Sequence, residues 1–454
     1  MNDKTLYESV RAEANLFSAW RHVKKSAVKS PRPEIRGEAS EFENKHQTHL
    51  KRMGAQLREN RYAFNPVHGA LKDKKAREKK GKDPRPIAIA KMEDRVLQRA
   101  ILQVLQPRRI VDPRNPNSKA ELVHDERLGS INKVNRSLYG VGGLLRPYGG
   151  VEPALKLCLR AMERGATHFF QSDIKAFFTA IPTENVVEIV RNETGDDRFC
   201  SLFQDALHIE LSNEDELESY ARLFPQKGLG VAQGGSLSAF AGNALLYEFD
   251  HELNRLGVTA VRYIDDLVIL SPDKDHLDKA VRFAKSYLGD LGFALYPPDK
   301  ATGKADAGLC GQSFNFLGCT LQPKRCVPSK NSVNSKKGEF SDLLDKSRDA
   351  IKAFLQQGKD LDHKLSQSFV LKRVGDQLYG WQKSFAFCTD AREFEVLDNH
   401  VSRVVTNYVQ TVQRWTTKVD PMTAARALGL PSAKEQFLLD KAKREKRAAS
   451  RSGA

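Results

Sequence analysis

The chain has 454 residues, enough for two or three packed units without disulfide staples. Lys and Arg number 73 against 57 Asp and Glu, a net charge of +16, which favours a polyanionic partner such as nucleic acid, although charge alone does not separate this from a merely basic chain. No apolar run reaches membrane-spanning length, and the opening "MNDKTLYESVRAEANLF" lacks a signal-peptide pattern, so a cytoplasmic protein with no membrane partner is expected.

From about residue 5 to 64, apolar residues recur at three-to-four spacing, as in "FENKHQTHLKRMGAQLRENRYAF", and predict helices. In "LKDKKAREKKGKDPRPIAIA" a Gly-Lys-Asp-Pro turn precedes a short strand, and "MEDRVLQRAILQVLQP" predicts a helix ending at Pro107. Residues 112 to 150 read as loop-rich, followed by a helix over about 151 to 164. The middle, roughly 165 to 322, alternates strands ("THFFQSDI", "TAVRYIDDLVIL", "FNFLGCTLQP") with helices, an α+β pattern. "SKNSVNSKKGEFSD" reads as a polar linker, the remainder as basic helix, and "DKAKREKRAASRSGA" as a tail with a disordered end. The cysteines (Cys158, Cys200, Cys310, Cys319, Cys326, Cys388) form no C-x-x-C pair and have no histidine at ligand spacing. That argues for buried free thiols rather than zinc or disulfide frameworks.

Two places put carboxylates among apolar strand residues. "THFFQSDI" ends a strand on Asp173, and "VRYIDDLVIL" sets Asp265 and Asp266 near the turn of a tight hairpin. An unpaired buried charge is very costly, so such groups are hydrogen-bonded or hold a cation. Side chains alternate along a strand, so the two aspartates should diverge and only one, Asp265, should meet Asp173 directly. Oxygen ligands without Cys or His suit Mg²⁺, and a pair of ions would serve in-line phosphoryl displacement. The plain alternative is a ligand-free Asp-Asp turn.

The ordered set of motifs around these residues resembles the reverse transcriptases, over about residues 10 to 390, and in particular the bacterial branch near group II intron enzymes and defence-associated "unknown group" proteins. "GKDPRPIAIAKMEDRVLQRAI" is similar to a fingers segment, "SDIKAFFTAIP" to the first catalytic motif, and "GLGVAQGGSLSAFAGNALL" to the Gln-Gly loop and helix beneath the template. "RYIDD" matches the second catalytic motif, "LGFALYPPDK" the following lysine-bearing unit, "FNFLGC" the primer grip and "LYGWQKSFAF" a thumb segment. Ala232 stands where the family often has proline, "GGSLSAF" lacks a second proline, and "SLYGVGGLLRPYGG" matches only loosely.

The resemblance implies an α+β right-hand polymerase with an antiparallel-sheet palm, helical fingers and an α-helical thumb. Its expected divisions are 1–164 (fingers and N-terminal helices), 165–325 (palm, with a helical fingers insertion at about 183–225), 326–440 (thumb) and 441–454 (basic tail). It implies RNA-templated addition of dNTPs with two Mg²⁺ ions, for which Mn²⁺ could substitute. Asp173, Asp265, Asp266 and the Ile174 backbone carbonyl would hold the metals. Lys82, Arg85, Phe178 and Gln233 would bind nucleotide, with Phe178 excluding a ribose 2′-hydroxyl. Lys300 would be a general acid, Phe316, Leu317 and Gly318 a primer grip, and Trp381 thumb packing.

Against each stands a plainer reading: a solvated basic loop for Lys82 and Arg85, a core aromatic for Phe178, a surface residue for Lys300, and strand packing on the palm for Phe316 to Gly318. Leu237, Phe240, Ala244, Leu245, Phe249 and Leu253 form a core-facing helical stripe stopped by Gly257, with Ser236 or Ser238 as its cap. Implied partners are an RNA template, in particular a structured non-coding RNA, together with DNA product and dNTPs. Without a nuclease-like motif after the thumb segment, anti-phage defence gains weight. A group II intron-type maturase acting mainly by RNA binding, and template-independent or protein-primed synthesis, remain the alternatives.

Overall fold

The computed structural model describes residues 4–79, 81, 83–111, 115, 121–299 and 303–452. The chain divides into two compact units, Met1–Gln312 and Ser313–Ala454.

In the N-terminal unit, helices Leu6–Arg11, Glu13–Ala27, Pro33–Asn44 and His46–Arg58 follow the predicted periodicity. Thr5 and Glu8 close a capping box at the first, and Leu16, Ala19, Trp20, Val23 and Ala27 bury one face of the second. Strands β1 (His68–Lys72) and β2 (Arg85–Ile89) form an antiparallel hairpin. Asn213, just before the short helix Glu214–Leu217, fastens this hairpin: its side chain accepts from the Gly69 N–H at 2.8 Å and donates to the Gly69 carbonyl at 3.1 Å. Arg222 reaches Asp83 at 3.0 Å beside it. After helix Met92–Leu105 come the short pair β3 (Arg108–Ile110) and β4 (Glu121–Val123), then helix Val151–Glu163.

The centre of this unit is a four-stranded sheet built from β5 (His168–Asp173), β6 (Thr259–Tyr263), β7 (Asp266–Ser271) and β8 (Ala305–Leu309). The strand order is β6-β7-β5-β8 and every pairing is antiparallel. Leu267 to Ser271 are all buried, and because successive side chains point to opposite faces, both faces of β7 are covered. Helices Val151–Glu163, Ser238–Arg255 and Lys274–Asp290 pack on the sheet. The stripe Leu237, Phe240, Ala244, Leu245, Phe249 and Leu253 is buried as expected. Its cap differs: Ser238 does not cap the helix but donates to the Ala232 carbonyl at 2.5 Å, tying the helix to the loop before it.

The C-terminal unit opens with an antiparallel three-stranded sheet of β9 (Phe314–Phe316), β10 (Cys319–Gln322) and β11 (Arg325–Pro328). Helices Lys330–Gln357, Gln367–Ser384, Arg392–Thr416, Pro421–Leu428 and Ala433–Ser452 follow. The division falls at Gln312/Ser313, so this sheet lies in the same compact unit as the C-terminal helices. Two expectations are corrected. "SKNSVNSKKGEFSD" is no linker but the start of a 28-residue helix: Ser329 accepts from the Ser332 N–H, and Val333, Phe340, Leu343, Leu344 and Ile351 supply a buried stripe that the serines disguise. The tail expected to be disordered is helical through Ser452, consistent with its Ala, Lys, Arg and Glu content. Among the described residues, no helix is long and apolar enough to cross a membrane.

Candidate active site

The β6–β7 hairpin turns through two residues, with Tyr263 paired to Asp266 and Ile264–Asp265 between them. Ile264 has φ of 63° while Asp265 stays outside the positive region, the pattern of a type II′ turn. A β-branched residue in the left-handed region is strained, so surrounding contacts must impose the conformation. They come from Arg262, which is 1% exposed. Its guanidinium binds Asp250 twice, at 2.9 and 2.6 Å, Asn243 at 3.2 Å and the Ile264 carbonyl at 3.0 Å. Thus the turn is moored to helix Ser238–Arg255 from within the core.

The loosely matching segment "YGVGG" completes the mooring. The Arg262 N–H donates to the Tyr139 carbonyl at 2.8 Å, and the Val141 N–H to the Arg262 carbonyl at 2.9 Å, so residues 139–141 run as an extra extended stretch beside β6. A Cβ at Gly142 would come within 2.4 Å of the Ile264 nitrogen, and one at Gly140 within 2.3 Å of an Asp250 carboxylate oxygen. Only glycine permits these approaches. Arg262, Asp250, Asn243, Gly140 and Gly142 were not singled out from the sequence; the signal available was a charged residue inside each of two apolar stretches and a glycine cluster.

Strand register brings the aspartates together. Asp173 lies opposite Asp266 in the β5–β7 ladder, and directly opposed residues project to the same face. Asp265, expected to be the one that meets Asp173, is instead in the turn, where its carbonyl accepts from the Ile174 N–H at 2.8 Å. Ile174 itself is buried. The Asp173 carboxylate pairs with the Lys304 ammonium, which also faces the Tyr296 ring at 5.8 Å. Burial, and next the Asp266 charge, push the Asp265 carboxyl up to about 6, with Arg85 and Arg262 pulling it down; burial raises Asp266 as well. Arg85, at the start of β2, is therefore within electrostatic reach of Asp265.

Phe177 is core: it packs against Phe293 at 5.5 Å between ring centres, and Gly242 leaves room for it. Phe178 is half-buried, and its carbonyl accepts from the Val231 N–H at 2.7 Å, which joins the aromatic segment to the loop carrying Gln233. Gln233 is half-buried beside Gly234, whose φ is 86°. Lys82 and Lys300 lie outside the described residues.

In the C-terminal unit, Leu317 and Gly318 are not strand residues: with φ of 49° and 78° they form the two-residue turn between Phe316 and Cys319. The Gly318 carbonyl accepts from the Ser329 N–H at 2.9 Å and the Ser332 hydroxyl at 2.8 Å. Trp381 packs on Phe385 and Phe394, at 4.8 and 5.5 Å between ring centres.

The sequence model of the family described as "Reverse transcriptase (RNA-dependent DNA polymerase)" matches residues 77–321, more than half of the chain. The chain belongs to the reverse transcriptase family. No curated protein sequence matches it. Among solved structures it is similar to a "Partial Cas6-RT-Cas1--Cas2 complex" (19% identity, TM-score 0.35, covering 64% of this chain and 42% of that one). It is also similar to a "Cas6-RT-Cas1--Cas2 complex" (13%, 0.35, 94% and 54%). A telomerase from Candida albicans bound to a fragment of telomeric RNA matches at 13% identity and TM-score 0.37, over 80% of this chain and 59% of that one. The chain thus spans about half the length of the solved chains it matches.

Reverse transcriptases generally work with divalent metal ions. The donor set here is compatible with that: burial disfavours the charged carboxylates of Asp265 and Asp266 unless a cation or proton neutralises them, and Asp173 pairs with the Lys304 ammonium. Among the described residues, Asp173, Asp265 and Asp266 do not form a group of three whose ligand atoms all lie within 4.8 Å of one another.

Proposed function

We propose that this reverse transcriptase extends a primer 3′ end with deoxynucleotides on an RNA template, at the carboxylates of Asp173, Asp265 and Asp266. The observation that carries the reading is the moored hairpin that presents Asp265 and Asp266 beside Asp173, inside the segment matched by the family. Two Mg²⁺ ions, for which Mn²⁺ could substitute, would supply charge neutralisation and activation of the attacking hydroxyl. Asp173 and Asp265 would hold them, with Asp266 assisting and the Ile174 carbonyl completing the set. Arg85, and Lys82 next to it in sequence, bind the triphosphate by charge. Phe178 limits the sugar 2′ position and Gln233 supports the template pair.

In this reading residues up to about 164 and the helical stretch 183–225 serve as fingers, the β5–β8 sheet as palm, and the C-terminal helices as thumb, with Phe316, Leu317 and Gly318 as primer grip. Lys300 is the general-acid candidate. The +16 charge suits a structured non-coding RNA as template and partner in the cytoplasm. A role in anti-phage defence rests on resemblance to the defence-associated branch alone.

The test is primer extension on RNA by the full chain, with sequencing of copurifying nucleic acid. Asp265→Ala should abolish incorporation and deplete complementary DNA among the copurified molecules. Wild-type incorporation by that variant would end the two-metal assignment. Phe178→Ala should admit ribonucleotides, and unchanged sugar selectivity would remove its gating role.

A further inference from the structure

Three cysteines that the sequence scatters over 70 positions meet in the C-terminal unit. The sulfurs of Cys319, Cys326 and Cys388 all lie within 4.8 Å of one another, the one such group of three potential ligands among the described residues. Cys319 and Cys326 are on the paired strands β10 and β11: Leu321 is opposite Cys326, so Cys319 and Cys326 are diagonal neighbours on one face. Pro323 and Lys324 make the intervening turn, Lys324 with φ of 61°, as a type II turn with proline at its first central position requires.

Cys388 arrives from the segment after helix Gln367–Ser384 and is clamped there. The Thr389 N–H donates to the Cys326 carbonyl at 2.8 Å, and the Cys326 N–H donates to the Thr389 hydroxyl at 3.0 Å. Cys319 and Cys326 are fully buried and Cys388 is half-buried, which makes Cys388 the side from which an ion would enter.

We propose that Cys319, Cys326 and Cys388 form a binding site for a thiophilic d¹⁰ cation, Zn²⁺ in the first instance, that cross-links the β9–β11 sheet to the segment 385–390. Thiolates select such ions over Mg²⁺, and Zn–S bonds of about 2.3 Å put tetrahedral sulfurs about 3.8 Å apart, a contraction of at most about 1 Å from the spacing here. A disulfide would need two sulfurs at about 2.05 Å and would strand the third, whereas here all three sulfurs lie within 4.8 Å of one another. Binding releases the thiol protons as three S–metal bonds form, and a solvent or exogenous donor fills the fourth position. Small apolar filling is the plainer role for buried cysteine, and it predicts no bound metal.

The full chain, purified under reducing conditions, exposed to Zn²⁺ and desalted, should retain one zinc per chain by elemental analysis. Excess Mg²⁺ should leave it in place. Cd²⁺ should replace it with a thiolate-to-metal charge-transfer band of three-sulfur intensity. Cys319→Ser and Cys326→Ser should each lose the metal and the band, and Cys158→Ala, in the other unit, should keep both. The wild-type stoichiometry and Cd²⁺ spectrum need no variant to fold. Sub-stoichiometric zinc with no Cd²⁺ band, or a Cys319–Cys326 disulfide found by alkylating the unreduced protein in denaturant, would overturn the proposal.

Discussion

Two groups of potential ligands occupy this molecule, and they were written into the sequence in opposite ways. Two of the three aspartates are adjacent in sequence, Asp265 in the two-residue turn and Asp266 at the start of the strand that follows it, and Asp173 ends the neighbouring strand. No two of the cysteines are adjacent, and their convergence depends on a strand pair and on the segment that follows helix Gln367–Ser384. The first group offers hard oxygens at a partly exposed strand end; the second offers soft sulfurs in a buried triangle. A site that handles substrate needs access and therefore sits on a turn, where a motif is readable. A site that braces a fold needs burial and is assembled from distant parts.

The sharpest way to break this contrast is catalytic. Asp173→Ala should reduce primer extension by at least ~10³-fold, because loss of the proposed metal ligand would remove several kcal/mol of transition-state stabilisation. Cys326→Ser, compared at equal folded protein, should change it by less than ~10-fold; similar losses in both would erase the distinction between a reacting and a bracing site.

Next in size is the mooring. Arg262→Ala strands the buried Asp250 carboxylate and should destabilise the N-terminal unit by about 3–5 kcal/mol in urea unfolding. Gly142→Ala probes the same support more gently. Its Cβ must displace the Ile264 backbone, so incorporation should fall by ~10²-fold with a smaller loss in unfolding free energy. Equal activity in that variant would show that the turn tolerates displacement.

The smallest effect is electrostatic. The folded-state carboxyl of Asp265 is raised from 3.8 to about 6, so its protonation favours the folded chain. That contribution is fully present below pH 3.8 and is lost as pH rises through about 6. With metal chelated, Asp265→Asn should therefore stabilise the protein at pH 8 by up to ~2 kcal/mol, after discounting for partial exposure, and should give no gain near pH 3.5. Thermal unfolding at the two pH values checks this, and a pH-independent difference would mean that desolvation of the charge is not what raises the group.

Legibility follows the same division. Strands β5 to β7, the N-terminal helices and the stripe from Leu237 to Leu253 were readable because periodicity and turn chemistry are local. The helix over 330–357 was misread because its first turns are rich in Ser, Asn and Lys, and only Val333 and Phe340, seven residues apart, mark the buried face. Leu317 and Gly318 were assigned to strand because nothing but backbone geometry shows that both take positive φ.

By itself, the sequence determined that two aspartates stand at a hairpin turn between buried strands, since alternation, turn preference and the cost of burying charge act over a few residues. The tertiary structure alone decided which aspartate lies across from Asp173, that Arg262 holds the turn from behind, and that three sulfurs share one point. Those depend on ladder register and on packing between segments far apart in the chain, where a one-residue slip would send each side chain to the other face.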